Sequence, residues 1–409
     1  MSWFIDLRPL RSGRAFRSVW LGSTLAAVGR QITNVAVLLQ VWELTRSPVW
    51  TGAIGLATAL PLLVFGPLGG ALADALDRRR LILLTVAGQS AGAAGLAVQA
   101  IAGNRSVMVL LGLLAVYSTC SALGSAAWRT LPARLLPGEQ VTAGIALHTT
   151  SFQAAMLTGP ALAGFVITWS GAQGAYLVQA VACGLSLSLA LALPRLPVTG
   201  ARAGRGPAPG GWSVILRRPA LSGSLLTDLA ATVLAMPVAL FPLVNEIRFG
   251  GDPRTLGLFL SAIAVGGLAA GLLSGTVTRL PRSGLVQLLA ATVWGLALAG
   301  FGLAGPLWAA LACLTVAGAA DSVSVITRGA LVQLETPDEY RGRVSSVEHV
   351  IGVAGPEAGN FRGGLLAALI PAPSALVVGG LTAAAAVAAI GLLNRPLRAY
   401  RTPAPATVA

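Results

Sequence analysis

The chain has 409 residues, of which 55% are hydrophobic and only 10% are charged, and its mean hydropathy is +0.77. An ordinary soluble domain carries about 25% charged residues. A water-soluble globule of this size could not bury so many apolar side chains. We therefore predict that much of the protein surface contacts the lipid bilayer. The net charge is +14, yet all 28 basic residues are arginine and there is no lysine. The usual P-loop and Schiff-base chemistry both require lysine, so they are excluded.

Cysteine and histidine are scarce, with three and two residues respectively. They are widely spaced, and no spacing typical of a metal site or of a disulfide framework is present. The arginines lie between apolar segments, which favours contact with a membrane surface over binding to nucleic acid. We therefore expect no enzymatic activity, no cofactor and no bound metal.

Apolar runs long enough to span a bilayer as α-helices recur along the whole chain. We count twelve, so we predict an all-α polytopic membrane protein with twelve transmembrane helices. The runs fall at 16–43, 48–72, 81–102, 107–128, 142–168, 174–194, 220–245, 256–278, 284–304, 307–331, 344–370 and 374–393.

The arginines are distributed unequally between the two sides of the membrane. If the N-terminus is inside, 21 arginines fall in inner segments, four fall in outer loops and three lie in or near spans. Because cytoplasmic segments are enriched in basic residues, this predicts that both termini are cytoplasmic.

The longest polar stretch divides the chain into two sets of six helices. It is rich in Arg, Gly and Pro, which is typical of a flexible linker. The halves also match each other weakly in the same order, for example GPALAGF with GPEAGNF, which indicates a duplicated six-helix unit. We predict an N-terminal bundle, a cytoplasmic linker, a C-terminal bundle and a cytoplasmic tail at 1–194, 195–219, 220–394 and 395–409.

The loop after the second predicted helix reads GGALADALDRRR. We expect Gly70 to allow close packing against a neighbouring helix. Asp74 lies at the membrane boundary, where a carboxylate can cap the positive N-terminus of another helix. Asp77, Arg78 and Arg79 can extend this into a charge network at the inner ends of the helices. The alternative is that the arginines only orient the protein.

These features together resemble the major facilitator superfamily. The segments TRGALVQLETPDEYRGRVSSV and GVAGPEAGNFRGG are similar to the branch that contains the bacterial enterobactin exporter. The resemblance implies a fold of two six-helix bundles in the bacterial inner membrane. It also implies siderophore efflux by alternating access, driven by protons. The cytoplasmic loop is then expected to act as a gate in which Asp74 caps the eleventh helix. The sequence departs from the family at Ala75, where a basic residue is usual.

The resemblance leaves alternatives open. Macrolide or multidrug efflux and lysophospholipid transport belong to neighbouring branches, and a non-transporting scaffold or sensor is a rival of another class. The expected partners are a small-molecule substrate, protons and lipid, with no nucleic acid, and we expect a monomer.

Ionisable residues inside the predicted spans are costly and should face a cavity or one another. We predict Glu357, Asp228 and Asp321 as candidates for proton coupling. Arg328 lies two helical turns after Asp321, so a static ion pair between them is the alternative. Arg343, near the start of the eleventh helix, is the second candidate charge partner.

Three further polar residues are predicted to contact the substrate. Arg30 lies near the middle of the first helix and is suited to attract an anionic substrate. Asn34 and Asn360 are the other two candidates. The alternative for Arg30 is that it pairs with one of the buried acids.

Overall fold

The computed structural model describes residues 6–194, 196, 211–277 and 280–401, although the side chains of Ser12, Asp74, Val277 and Asp338 are not described. Throughout these ranges the secondary structure is helical. The N-terminal half contains α1 to α6, which are Arg8–Ser12, Arg14–Thr45, Pro48–Ala75, Arg78–Ile101, Val107–Leu135 and Gly138–Ala190.

The described residues of the C-terminal half form ten α-helices and two short 3-10 turns. The turns are Val238–Leu240 and Asp338–Tyr340. The helices α7 to α16 are Gly211–Arg217, Pro219–Ala235, Phe241–Phe249, Pro253–Leu272, Ser274–Val277, Ser283–Leu303, Leu307–Glu335, Arg341–Ala367, Ala372–Leu393 and Arg395–Ala399.

Each predicted apolar run coincides with a helix or with a pair of consecutive helices. Within the described ranges, nine helical segments are long and apolar enough to cross a membrane. The 53-residue α6 covers two predicted runs, because Gly171 with φ 66° and ψ −175° breaks its helical conformation. Helices α2 and α14 are not among the nine, and both contain several charged and amide side chains. The fold is therefore that of a polytopic helical membrane protein, while the count of twelve spans stays a prediction.

The helices form two compact units. Unit 1 comprises the described residues of Met1–Arg46, Leu56–Gly204 and Gly250–Ser261, and unit 2 comprises those of Ser47–Gly55, Arg205–Phe249 and Ala262–Ala409. Residues 47–55, from the N-terminal half, thus belong to unit 2, and residues 250–261, from the C-terminal half, belong to unit 1. Of the predicted linker, residues 195 and 197–210 lie outside the described residues, and 211–217 forms α7.

Unit 1 is built around α2, α4, α5 and α6, whose buried faces consist mainly of aliphatic side chains and alanine. A buried polar network also connects three of these helices. The side-chain amides of Gln40 and Gln99 donate to each other at 3.3 and 3.1 Å, and the Tyr176 hydroxyl donates to Gln40 Oε1 at 2.7 Å. Hydrogen bonds of this kind hold helices together where lipid removes the hydrophobic driving force.

Unit 2 is built from α8, α12, α13, α14 and α15, and α14 packs closely on α8. Small residues make this contact possible, since a Cβ at Gly359 would meet the backbone of Thr232. The segment that begins with α8 is interrupted after Ala235, where Met236 has ψ 121° and Pro237 follows. Proline supplies no backbone N–H and disfavours a helical conformation of the residue before it, which favours an interruption at this position.

Candidate functional site

An arginine in unit 2 connects three helices through ion pairs. Arg328 on α13 pairs with Asp228 on α8, and Arg328 Nε lies 3.4 Å from Glu348 Oε1 on α14. Asp228 and Arg328 are each only 7% exposed. Removing either partner alone would leave an uncompensated buried charge, so the three helices are held together electrostatically.

Asp321 belongs to the same cluster without being paired directly. It lies close enough to interact electrostatically with Asp228 and Arg328. The two ion pairs of Arg328 go to Asp228 and Glu348 rather than to Asp321. Seven residues along one helix correspond to about 10 Å, which separates the two side chains. Three carboxyl groups therefore share one guanidinium in the described part of this cluster.

A cavity of about 170 Å³ adjoins the cluster inside unit 2. Its volume is enough for about six water molecules at their liquid density. The polar part of its wall consists of Asp228, Thr232, Asp321 and Arg328. Apolar side chains, including Trp294, Leu298 and Val325, form much of the remainder. Two of the three predicted proton-coupling acids thus line one cavity.

The third predicted acid lies elsewhere in unit 2. Glu357 on α14 is not among the residues that line this cavity. Its Oε2 accepts a hydrogen bond from Asn360 Nδ2 at 3.2 Å. The backbone of Gly55 on α3 packs directly against its side chain, where a Cβ would collide with the carboxyl group.

Asn360, predicted to contact substrate, has both ends of its amide engaged. Its Oδ1 accepts a hydrogen bond from the backbone N–H of Ala239 at 3.2 Å, and its Nδ2 donates to Glu357. The residue is 8% exposed. In this conformation its polar atoms are therefore occupied by the protein itself.

Arg30 lies on α2 in unit 1, among uncharged polar groups. Its described electrostatic neighbours are the phenol of Tyr117 and the thiol of Cys183. Gln179 Nε2 donates to Tyr117 Oη at 2.8 Å and also contacts Cys183 Sγ. Within the described chain no carboxylate pairs with Arg30, and its Nε has no hydrogen-bond partner there. The alternative that Arg30 pairs with one of the buried acids is therefore not what the structure shows.

Asn34 lies one helical turn after Arg30 and is exposed. Its Nδ2 donates to Gln31 Oε1 at 3.2 Å. Arg343, predicted as a charge partner, instead places its guanidinium over the ring of Tyr340, 5.4 Å from the centroid.

The loop between α3 and α4 is described only in part, because the side chain of Asp74 lies outside the described residues. Asp77 caps its own helix, since its Oδ1 accepts from the backbone N–H of Arg80 at 3.2 Å. Arg78 and Arg79 donate to the carbonyl oxygens of Ala73 and Leu191 at 3.5 and 3.1 Å.

The structure does not show the close packing predicted for Gly70. A Cβ on Gly70 would meet no described atom within 4 Å, whereas one on Gly69 would lie 2.6 Å from the carbonyl oxygen of Leu123 on α5. Successive residues of a helix point about 100° apart, so only one of two adjacent glycines can face the same neighbour.

Sequence reasoning did not identify Tyr117, Gln179 and Thr51 as members of polar networks. Gln179 is a polar residue in a long apolar run, and this is the signal that could have drawn attention to it. Tyr117 carries no such signal, because Ser118 and Thr119 follow it directly, and Thr51 lies near the start of α3. Which partner each of them meets depends on helix packing, and a single sequence does not specify that.

The comparison with protein families decides the class of this molecule. Residues 5–404 match the model described as transmembrane secretion effector. The chain belongs to that family. The enterobactin exporter EntS of Citrobacter koseri is 28% identical over 99% of this chain and 97% of its own length. EntS of Salmonella typhi is 27% identical over 92% of both chains.

Solved structures agree on the fold. A POT family transporter in complex with 5-aminolevulinic acid matches with TM-score 0.75 and 11% identity, over 94% of this chain and 97% of its own. A bacterial homologue of the iron transporter ferroportin in the inward-facing state matches with TM-score 0.69 and 18% identity, over 95% and 99%. The expectation of a major facilitator transporter is confirmed. The protein is a multi-pass membrane protein of this transporter family.

Proposed function

We propose that the protein exports a siderophore or a similar small molecule from the bacterial cytoplasm across the inner membrane, by alternating access and in exchange for protons. The observation that carries the coupling to protons is the group of three carboxyls around Arg328 beside a cavity in unit 2. The names of the EntS relatives support the substrate class.

The charge count of the cluster favours proton exchange over a purely structural clamp. One guanidinium compensates one carboxylate, so the further carboxylates around Arg328 need another positive charge within the membrane span. A proton is the smallest cation that can supply it. Asp321, without an ion pair among the described residues, is the acid to which we assign the transported proton. Asp228 exchanges its partner as the proton arrives, and Glu357 is the third candidate.

Arg30 is the residue that we assign to substrate recognition. A guanidinium inside a span with no carboxylate partner among the described residues is expensive in a membrane protein, and it is kept where it has a functional task. Its planar fork of donors suits an acidic group such as a carboxylate or a phenolate. Asn34, on the same face of α2, supplies an exposed amide beside it.

We place both termini in the cytoplasm, because the arginine distribution favours that orientation. We assign Asp74, Asp77, Arg78 and Arg79 to the cytoplasmic gate that opens and closes as the protein changes state.

The test is substrate-driven proton movement in proteoliposomes that contain a pH-sensitive dye. Enterobactin, a hydroxamate siderophore and a macrolide are supplied separately. Proton movement with a siderophore alone supports the proposal. Proton movement with the macrolide alone would show that the substrate is a macrolide rather than a siderophore. Proton movement with none of the three compounds would refute their proton-coupled export.

Variants separate the assigned roles. Asp321→Asn should reduce proton-coupled efflux at least about tenfold while substrate binding is retained, because the variant cannot carry the proton. Arg30→Gln should instead weaken substrate binding. Glu139→Gln, which changes an exposed acid at the start of α6, is the matched control and should behave as wild type. Full coupling in Asp321→Asn would move the proton site to Asp228 or Glu357.

A further inference from the structure

The interruption of the seventh predicted span frees backbone groups that lipid cannot satisfy. Helix α8 ends at Ala235, the 3-10 turn follows at Val238–Leu240, and α9 continues from Phe241. At such a break, N–H and C=O groups leave the helical hydrogen-bond ladder. Inside a membrane these groups must find partners within the protein.

Three side chains supply these partners in unit 2. The N–H of Ala239 donates to Asn360 Oδ1 at 3.2 Å. The carbonyl oxygen of Ala239 accepts from Thr51 Oγ1 at 2.8 Å. The carbonyl oxygen of Leu234, just before the break, accepts from the guanidinium of Arg362. Side chains of α3 and α14 therefore hold the broken segment in place.

Asn360 differs from Thr51 and Arg362 because the other end of its side-chain amide is bound to an acidic residue. Its Nδ2 donates to the carboxyl group of Glu357, one helical turn earlier on α14. The amide is almost fully buried, and its backbone is packed against Gly52, where a Cβ would lie 2.8 Å from the carbonyl oxygen of Asn360. One rigid amide thus connects an acid directly to the break.

In the part of the chain that the structure describes, no charged side chain interacts with Glu357. Its contacts there include the Asn360 amide and the backbone of Gly55 on α3. From α8, Thr232 packs on the neighbouring Gly355 and carries no charge. Arg362, further along α14, is engaged by the Leu234 carbonyl.

We propose that Asn360 is a positioning residue that couples the charge of Glu357 to the break between α8 and α9. As a carboxylate, Glu357 accepts a charge-assisted hydrogen bond that fixes the amide with Oδ1 towards the Ala239 N–H. When Glu357 is neutral this bond weakens, the amide is free to turn, and the Ala239 N–H loses its acceptor. Helix α9 is then released from α14. The link itself does not depend on the substrate, whereas its use in transport rests on the proposed function.

The experiment is hydrogen–deuterium exchange of the full-length protein in nanodiscs without substrate, with fragmentation that resolves Ala239 within the peptide 236–249. Asn360→Ala should raise exchange at Ala239 about fivefold, the effect of losing one hydrogen bond. Glu357→Gln should raise it about two- to threefold, because a neutral acceptor is roughly half as strong as a charged one.

The double variant gives the decisive comparison, since a purely structural asparagine would not transmit the change at Glu357. Glu357→Gln should have no further effect at Ala239 in the Asn360→Ala background. Asn394→Ala is the matched control. Asn394 also bridges helix ends, with Nδ2 donating to Pro219 O and Oδ1 accepting from Leu397 N, and its loss should leave Ala239 unchanged.

Additive effects of Glu357→Gln and Asn360→Ala would overturn the coupling, as would unchanged exchange in Asn360→Ala. If Asn360→Ala does not fold, Glu357→Gln alone decides, because unchanged exchange at Ala239 in that variant also overturns the proposal. These measurements need no substrate, so their failure is distinct from a failure of the proposed export.

Discussion

Replacing Arg328 with methionine tests whether the charge cluster of unit 2 is held together as described. Methionine keeps the length and much of the apolar volume of the side chain but removes the charge. Asp228, 7% exposed, loses its cation, and so does Glu348, whose carboxylate lies 3.4 Å from Arg328 Nε. With an effective dielectric constant of about 20, one charge pair at this distance is worth about 5 kcal/mol before the cost of desolvation.

The net destabilisation is smaller, because an abandoned carboxylate can take up a proton. Starting from an ordinary carboxyl group, neutralising one costs about 4 kcal/mol at pH 7 and about 1.5 kcal/mol at pH 5. We therefore expect Arg328→Met to lower the free energy of unfolding by about 3–5 kcal/mol at pH 7. The loss should shrink towards pH 5. Asp228→Asn in the same chain should restore much of the stability, since it removes the buried charge that has no partner.

The assay is equilibrium unfolding in mixed micelles, followed by tryptophan fluorescence, to which Trp294 in the cavity wall contributes. Arg105→Met, which changes an exposed arginine in a loop, is the matched control. The reasoning would be refuted by an Arg328→Met variant as stable as this control. A double variant less stable than Arg328→Met alone would refute it equally.

Two further predictions concern unit 1, and both are measured by the same unfolding assay. Gly69→Leu should destabilise the protein by about 1–3 kcal/mol through overpacking against α5, whereas Gly70→Leu should be nearly neutral; equal effects would contradict the packing described. Gln99→Leu should cost about 0.6 kcal/mol, and up to about 1.7, by breaking the amide network. Gln173→Leu, at an exposed position, is its control, and a loss of the same size there would show that the network contributes nothing.

That the chain is a membrane protein could be predicted from its composition. Lipid cannot hydrogen-bond the backbone, so few structures other than long apolar helices can span a bilayer. The same constraint made the positions of helices predictable, since a span needs about twenty apolar residues. The acids Asp228 and Asp321 could be identified for the related reason that charges inside a span are rare and costly. The family resemblance rested on a loop motif that is local in sequence.

The partners of these residues were not predictable in the same way. Spacing on α13 suggested Arg328 as the partner of Asp321, but the ion pairs of Arg328 go to α8 and α14. Gly70 was expected to pack closely, yet Gly69 is the residue that faces α5. Both outcomes depend on how helices are rotated and placed against each other, which involves residues far apart in the chain.

The sequence by itself thus determined that this is a helical membrane protein with acidic residues inside its apolar runs and arginines concentrated between them, because hydropathy and charge act locally along the chain. Tertiary structure alone decided that Arg328 joins three helices, that Arg30 lies among uncharged groups, and that Asn360 connects Glu357 to a broken helix. Hydrogen bonds and ion pairs act over about 3–4 Å, so their partners exist only once packing has brought distant segments together.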